Sequence, residues 1–258
     1  MKPLPRVIPV LLVHGVNLVK TVRFKRPGYI GDPANTVRIF NELRVDEIIV
    51  LDIRASKRAQ GPNWSLIKEL AEECHMPLCY GGGIRNVEDA RKLFSLGLEK
   101  VSLNTGALNN PGLVQALAEE FGSQSVVGSV DISSSVFGGS RVHDSNKRFG
   151  RRRDPVQWAR ELVTLGVGEL LVTSIDREGT WAGFDGETVN AIARQADVPV
   201  IAHGGCGSLA HIRSAVDDGA SAVGVGSFVV YQKKDFGVLV NFPDLNRLEQ
   251  LFQESSDF

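Results

Sequence analysis

With 258 residues, 43% of them apolar, the chain is long enough to bury one large core or two small ones. A net charge of −1 argues against nucleic-acid or membrane binding through bulk charge, and the sequence holds no apolar stretch of bilayer-spanning length. Three cysteines, Cys74, Cys79 and Cys206, follow no metal-ligand spacing. Their odd number, without an export signal, reads as reduced thiols in a cytoplasmic protein with no metal or other cofactor.

Taken in chain order, MKPLPRVIPVLLV carries a short apolar run. It passes straight into VHGVNLVKTVRF without a small-residue cleavage site, so a first strand is expected rather than a leader. Strands are then expected in EIIVLDI, LCYGG and KVSLN, followed by SVVGSVDI, ELLVTSI, PVIAHGG and AVGVGS. These runs are almost continuously apolar, as strands covered on both faces require. Amphipathic helical segments lie between them; VEDARKLFSLG, for example, stops at a glycine.

The chain repeats itself. With Gly82 laid on Gly204, an offset of 122 residues, Arg91 meets Arg213, Gly97 meets Gly219, Val101 meets Val223 and Thr105 meets Ser227. The same offset lays Asp32-Pro33 on Asp154-Pro155, Arg38 on Arg160, Leu43 on Leu165 and Glu47 on Glu169. Four strand–helix units used twice close most simply as an α/β (β/α)8 TIM barrel made of two similar half-barrels. An open doubly wound sheet is the alternative. Without a linker or low-complexity stretch, residues 1–258 read as one domain, with halves of approximately 1–122 and 123–258.

Such barrels work at the C-terminal ends of their strands. Two kinds of glycine-bearing turn recur there: Gly81-Gly82-Gly83 with His203-Gly204-Gly205, and Asn104-Thr105 with Gly226-Ser227. One cluster alone reads as a tight turn. The matched pairs suit two phosphate cradles, and so a ligand phosphorylated at both ends. Asp131 ends the fifth expected strand and is the candidate acid–base carboxylate, with Leu12 at the equivalent place in the first half. Asp52 and Asp176, after strands two and six, suit ligand hydroxyls or loop bracing equally. Basic clusters follow strands one and five: Lys20, Arg23, Lys25 and Arg26, then Lys147, Arg148, Arg151, Arg152 and Arg153. Solvated faces are the ordinary reading of such runs, and an anion-attracting rim is the alternative. At the opposite end, Arg6, Glu47, Lys100 and Glu169 lie near strand starts. Unaided, they read as surface pairs of little weight rather than as an inward ring.

The segments RVIP, LVKTVRF, GDP, VDEIIVLDI, GGGIRNVEDARKL, EKVSLNT, FGSQSVV, VTSIDREGT and IAHGGCG, spread over nearly the whole chain, resemble the cyclase subunit of imidazole glycerol phosphate synthase. The resemblance implies ammonia taken from a glutaminase partner on the N-terminal barrel face and passed through the barrel to a bis-phosphorylated ribonucleotide. It implies Gly83, Asn104 and Thr105 at one phosphate, Gly205, Gly226 and Ser227 at the other with Gly179 nearby, Lys20 on a first loop over the mouth, and Asp131 as a catalytic aspartate. It also assigns Arg6, Glu47, Lys100 and Glu169 to a floor gate.

Two positions depart from that pattern. Leu12, in Pro9-Val10-Leu11-Leu12-Val13, stands where the family has its other catalytic aspartate, and Glu178 stands in place of an aspartate. Positioned proton transfer contributes about 10²–10⁴-fold, and leucine supplies none of it. His14 is the neighbouring imidazole that could stand in. Intact ammonia supply with impaired cyclisation is similar to a paralogous branch linked to acetamidino-sugar formation in surface polysaccharides, where a sugar amidotransferase receives the ammonia. A working histidine-pathway cyclase, a scaffold that activates a glutaminase, and a sister sugar-phosphate isomerase are the competing readings.

Overall fold

The computed structural model describes residues 4–56, 60–134, 139–144 and 153–253. In chain order the elements are β1 (Arg6–His14), β2 (Asn17–Val22), β3 (Lys25–Gly31), α1 (Pro33–Glu42), β4 (Ile48–Asp52), α2 (Trp64–Glu73), β5 (Leu78–Gly81), α3 (Val87–Ser95), β6 (Lys100–Leu103), α4 (Thr105–Asn109) and α5 (Pro111–Phe121). There follow β7 (Val126–Ser134), β8 (Ser140–Val142), α6 (Pro155–Thr164), β9 (Glu169–Ser174), α7 (Gly186–Ala193), β10 (Val200–His203), α8 (Leu209–Asp217), β11 (Ala222–Val225), α9 (Ser227–Val230) and α10 (Leu245–Gln253).

Eight strands pair in parallel in the order β1, β4, β5, β6, β7, β9, β10, β11, and β11 returns to pair with β1. The sheet is therefore closed, with helices between successive strands, as in a (β/α)8 barrel. The hairpin β2–β3 and the short strand β8 are additions at the strand ends, antiparallel to β1 and β7. The expected eight strands are all present; these three extra strands were not anticipated, because LVKTVRF and its successors read as a loop.

Local chemistry explains the repeated motifs. Asp32 caps α1 by accepting the Asn35 N–H at 2.7 Å, and Asp154 caps α6 by accepting the Gln157 N–H at 2.8 Å. Each is followed by a proline in the first turn, where the missing N–H costs nothing. Asn86 and Ser208 cap α3 and α8 in the same way, accepting from Asp89 and His211.

Register confirms the internal symmetry. Leu12 pairs with Leu51 and Leu51 with Gly81, just as Asp131 pairs with Thr173 and Thr173 with His203. Alternation along β1 sends Arg6, Ile8, Val10 and Leu12 towards the barrel axis. Arg6 reaches the floor, Ile8 and Val10 the middle and Leu12 the mouth. The middle layer is apolar and wholly enclosed, built from Ile8, Ile49, Cys79, Val127, Leu171 and Ile201 among others. A larger apolar shell lies between the strands and the helices, with Phe40, Tyr80 and Trp158 as its bulkiest fully buried members. Each fully buried Val, Leu, Ile or Phe side chain of the two layers contributes about 1.5–3 kcal/mol by leaving water.

Candidate functional site

At the C-terminal strand ends the barrel opens into a cavity of about 320 Å³. Its walls include Leu12 from β1, Gly82-Gly83 after β5, Ser102 and Asn104 around the end of β6, Asp131 from β7, Thr173 from β9 and His203 from β10. Gly83 holds φ +75°, and a Cβ there would meet the Gly61 backbone and Ala55 at 2.8 and 2.9 Å; the turn is closed to larger residues. The Ser102 hydroxyl and both amide atoms of Asn104 are buried and find no hydrogen-bond partner among the described residues. Enclosed orphan groups of this kind carry a desolvation cost that a polar ligand would remove.

The second expected cradle is arranged differently. Gly205, Gly226 and Ser227 are buried and, like Gly179, are absent from the cavity wall. A Cβ at Gly226 would meet Lys20 Cε at 2.9 Å, so the lysine stem lies over this turn. Lys20 is only 7% exposed and sits in β2 rather than on an open loop. Its Nζ is in contact with Glu178 Oε1. Glu178 also accepts from Thr21 Oγ1 at 3.1 Å and from the Phe24 N–H at 3.3 Å. Burial pushes the Lys20 ammonium down, to about 7, while the carboxylate against it works the other way. The hairpin is thus folded over the mouth, and Phe24 at its tip lines the cavity and meets His143 edge-on at 6.3 Å. Arg23 and Phe24 both hold positive φ, 53° and 58°, a turn that usually takes Asn-Gly. The Arg23 N–H bond to Glu178 O, at 2.9 Å, and the Arg23 Nε bond to Asp176 O, at 3.1 Å, hold it.

Asp131 is half-buried; burial raises its carboxyl to about 7, against a hydrogen bond with Thr173. Thr173 Oγ1 also lies 3.1 Å from His203 Nδ1. Burial, and then the charge of Lys20, hold the His203 imidazole down at about 3, so it is neutral. Asp52 and Asp176 brace loops. Asp52 accepts the Arg54 and Ala55 N–H groups at 2.8 and 3.0 Å, and Asp176 accepts the Ser134 N–H at 2.6 Å. His14, at the end of β1, is not on the cavity wall that Leu12 lines. Of the basic clusters, Arg153 pairs with Glu161 at 2.9 Å, and Lys147, Arg148, Arg151 and Arg152 lie outside the described residues. Lys20 does not present a free cation at the rim.

At the floor, the unaided surface reading is corrected. Glu47 and Glu169 are each 4% exposed. Arg6 contacts both carboxylates, and Lys100 Nζ reaches Glu47 at 2.8 Å and Glu169 at 2.9 Å. The four close a ring of alternating charge beneath the apolar middle layer. Glutamates at matched places in the repeat and cations on β1 and β6 are what strand closure brings together.

Two contributors to the mouth have no signal in the sequence: Thr173 and the partnership of Lys20 with Glu178. His203 is legible there only as part of a turn. Its place one strand over from Thr173, at offset 122 from Gly81, was the available signal.

Among the described residues, no group of three His, Cys, Asp or Glu side chains is placed to hold a metal ion, and no helix is long and apolar enough to cross a membrane.

Fold and cavity together define a (β/α)8-barrel protein whose candidate site sits where such barrels conduct small-molecule chemistry. The histidine biosynthesis protein family matches residues 6–235. A Pseudomonas aeruginosa protein provisionally named imidazole glycerol phosphate synthase subunit hisF2 is 51% identical over 245 residues, 95% of this chain and 98% of that protein. A Leptospira borgpetersenii protein provisionally given the subunit name HisF is 42% identical over 254 residues, 96% and 98% of the two chains. The Thermobifida fusca imidazole glycerol phosphate synthase subunit HisF is 39% identical over 223 residues, 84% and 87%. The chain belongs to the histidine biosynthesis protein family, as do relatives named as subunits of imidazole glycerol phosphate synthase.

Proposed function

We propose that this chain accepts ammonia from a glutaminase subunit docked on the N-terminal barrel face and relays it to a separate acceptor enzyme, instead of closing an imidazole ring itself. The acceptor in this reading is a sugar amidotransferase of acetamidino-sugar formation for surface polysaccharide. The complex is cytoplasmic, which suits the free thiols of Cys74, Cys79 and Cys206.

The observation that carries the reading is Leu12. It is 5% exposed, lines the mouth, and pairs with Leu51 as Asp131 pairs with Thr173. Cyclisation needs protons moved at two places, and Leu12 offers none at the place equivalent to Asp131. The floor supports the other half of the reading. Arg6 is the most exposed member of the ring, so its swing would part the ring from the partner's side. Neutral ammonia would cross the apolar layer above at far lower cost than ammonium.

The test is a reconstituted system of this chain, a glutaminase partner and a sugar amidotransferase with its sugar substrate, fed amide-¹⁵N glutamine. Label should reach a sugar product, with negligible turnover of the bis-phosphorylated ribonucleotide. Lys100→Met should uncouple glutamine hydrolysis from labelled product. Label released wholly into bulk ammonia would favour a scaffold that merely activates its partner. Robust ribonucleotide turnover, abolished by Asp131→Asn, would favour a working cyclase. That second reading draws on the raised carboxyl of Asp131, which is poised for acid–base work.

A further inference from the structure

Strand register sets Asp131, Thr173 and His203 side by side on β7, β9 and β10, at one level of the mouth. All three line the cavity. The matching level of the first half holds Leu12, Leu51 and Gly81, which carry no exchangeable side-chain proton. On one repeated backbone the two sets have diverged: Leu12, Leu51 and Gly81 stand where the second half has Asp131, Thr173 and His203, each able to exchange a proton.

Thr173 sits between the other two, 3.1 Å from His203 Nδ1 and directly beside Asp131 in the strand register. A hydroxyl has one proton to donate. With Asp131 ionised, Thr173 donates to the carboxylate and Nδ1–H donates to Thr173, leaving a lone pair on Nε2. With Asp131 protonated, the carboxyl donates to Thr173, Thr173 donates to Nδ1, and Nε2 carries the hydrogen.

We propose that His203 is a proton-transfer residue of this cavity, coupled through Thr173 to Asp131, and that it serves a nitrogen or oxygen of a small phosphorylated ligand. A proton leaving the ligand binds Nε2. The Nδ1 proton passes to Thr173 Oγ1, and the Thr173 proton passes to Asp131. The imidazole ends neutral in its other tautomer and the carboxylate ends as an acid; one proton moves and no electron does. Reversal returns the proton. Burial makes a free imidazolium unfavourable here, whereas the Asp131 carboxyl titrates at about 7. The basicity offered at Nε2 is then that of the carboxyl. The charged and titratable neighbours are Lys20 and Glu178 above the chain, Asp52 across the cavity, and His143, whose backbone N–H donates to the Asp131 carbonyl at 2.7 Å. Lys20 further disfavours imidazolium. The Ser102 hydroxyl and the Asn104 amide, buried in the same cavity and without partners among the described residues, would hold the ligand's polar groups.

The proposal does not depend on the route of ammonia, and it is tested on the full chain alone. Imidazole nitrogens would be followed by two-bond ¹H–¹⁵N correlation from roughly pH 9 to 5, with His203 assigned by loss of its signals in His203→Gln. The expected result is an imidazole that stays neutral and passes from Nδ1–H to Nε2–H with a midpoint near 7. Thr173→Val and Asp131→Asn should each freeze one tautomer, and Thr173→Ser should restore the exchange. Adding glycerol 3-phosphate as a probe should displace the Nε2 resonance. Formation of imidazolium in this range, a single tautomer throughout, an exchange untouched by Thr173→Val, or an Nε2 signal indifferent to the probe would each overturn the proposal.

Discussion

Lys20 of β2 and Glu178 after β9 meet as an ion pair whose side chains are 6% and 1% exposed. The pair ties the hairpin β2–β3 to the second half of the barrel, and Thr21 and the Phe24 backbone bond to the same carboxylate.

Removing one partner of such a pair strands a buried charge. Glu178→Gln should therefore cost about 3 kcal/mol in urea unfolding. Hydrogen exchange should show faster opening of residues 18–25 than of the barrel strands. A loss below about 1 kcal/mol, without faster exchange in the hairpin, would mean that the hairpin is held by its backbone bonds instead.

The floor ring should behave as a network and not as separate pairs. Each carboxylate faces both Arg6 and Lys100. A double-mutant cycle on Lys100→Met and Glu169→Gln should show coupling of about 1–3 kcal/mol. Arg38 and Glu73, 57% and 36% exposed, provide the contrast; coupling between Arg38→Ala and Glu73→Ala should be much weaker, because solvent screens the pair. Equal coupling in the two cycles would show that enclosure gives the ring no advantage.

Asp131 predicts a pH dependence with a definite sign. Its carboxyl titrates at 3.8 in the unfolded chain and at about 7 in the folded one. The folded state therefore holds the extra proton between those values, and its stability falls as pH rises through that window. Asp131→Asn removes the effect. It should be more stable than the parent at pH 8 by about 1–2 kcal/mol, a figure reduced for the partial exposure of the group. The advantage should vanish near pH 4, as read from thermal unfolding at both pH values. A constant difference would place the carboxyl's titration elsewhere.

Two glycines of the buried second cradle should differ. At Gly205, φ is +112° and an added methyl would run into the Gly183 carbonyl, which is backbone and cannot yield. Gly205→Ala should cost about 2–3 kcal/mol. At Gly226 the obstacle is Lys20 Cε, the far end of a flexible side chain. Gly226→Ala should cost about 1 kcal/mol or less, in the same denaturation assay. Similar losses would indicate that the lysine stem is as fixed as the backbone.

The features legible in sequence are those with a local cause. Asp32-Pro33 and Asp154-Pro155 announce helix starts because a carboxylate cap and a proline without an N–H act within one turn. Gly82-Gly83 and Gly204-Gly205 announce turns because their positive φ excludes other residues cheaply. Asp131 stood out as a carboxylate closing an apolar run. Lys20 was misread because a lysine among basic neighbours resembles a solvated rim. Its partner lies 158 residues away, and nothing near Lys20 reports it. The floor followed the same pattern: Arg6 meets a carboxylate 163 residues distant, so the sequence alone favoured exposed pairs.

Periodicity and repetition belong to the chain itself: alternating apolar strands, capped helices and an offset of 122 residues suffice for a twice-built barrel, because each rests on interactions a few residues long. Which side chains share an axis is another matter. Closing β11 onto β1 places Glu47 and Glu169 around one centre, and pairing β9 with β10 sets Thr173 beside His203. Burial then alters their chemistry, turning surface-type charges into a ring and a strand-end histidine into a neutral neighbour of Asp131. Those effects come from lost water and from contacts across strands, and they exist once the sheet has closed.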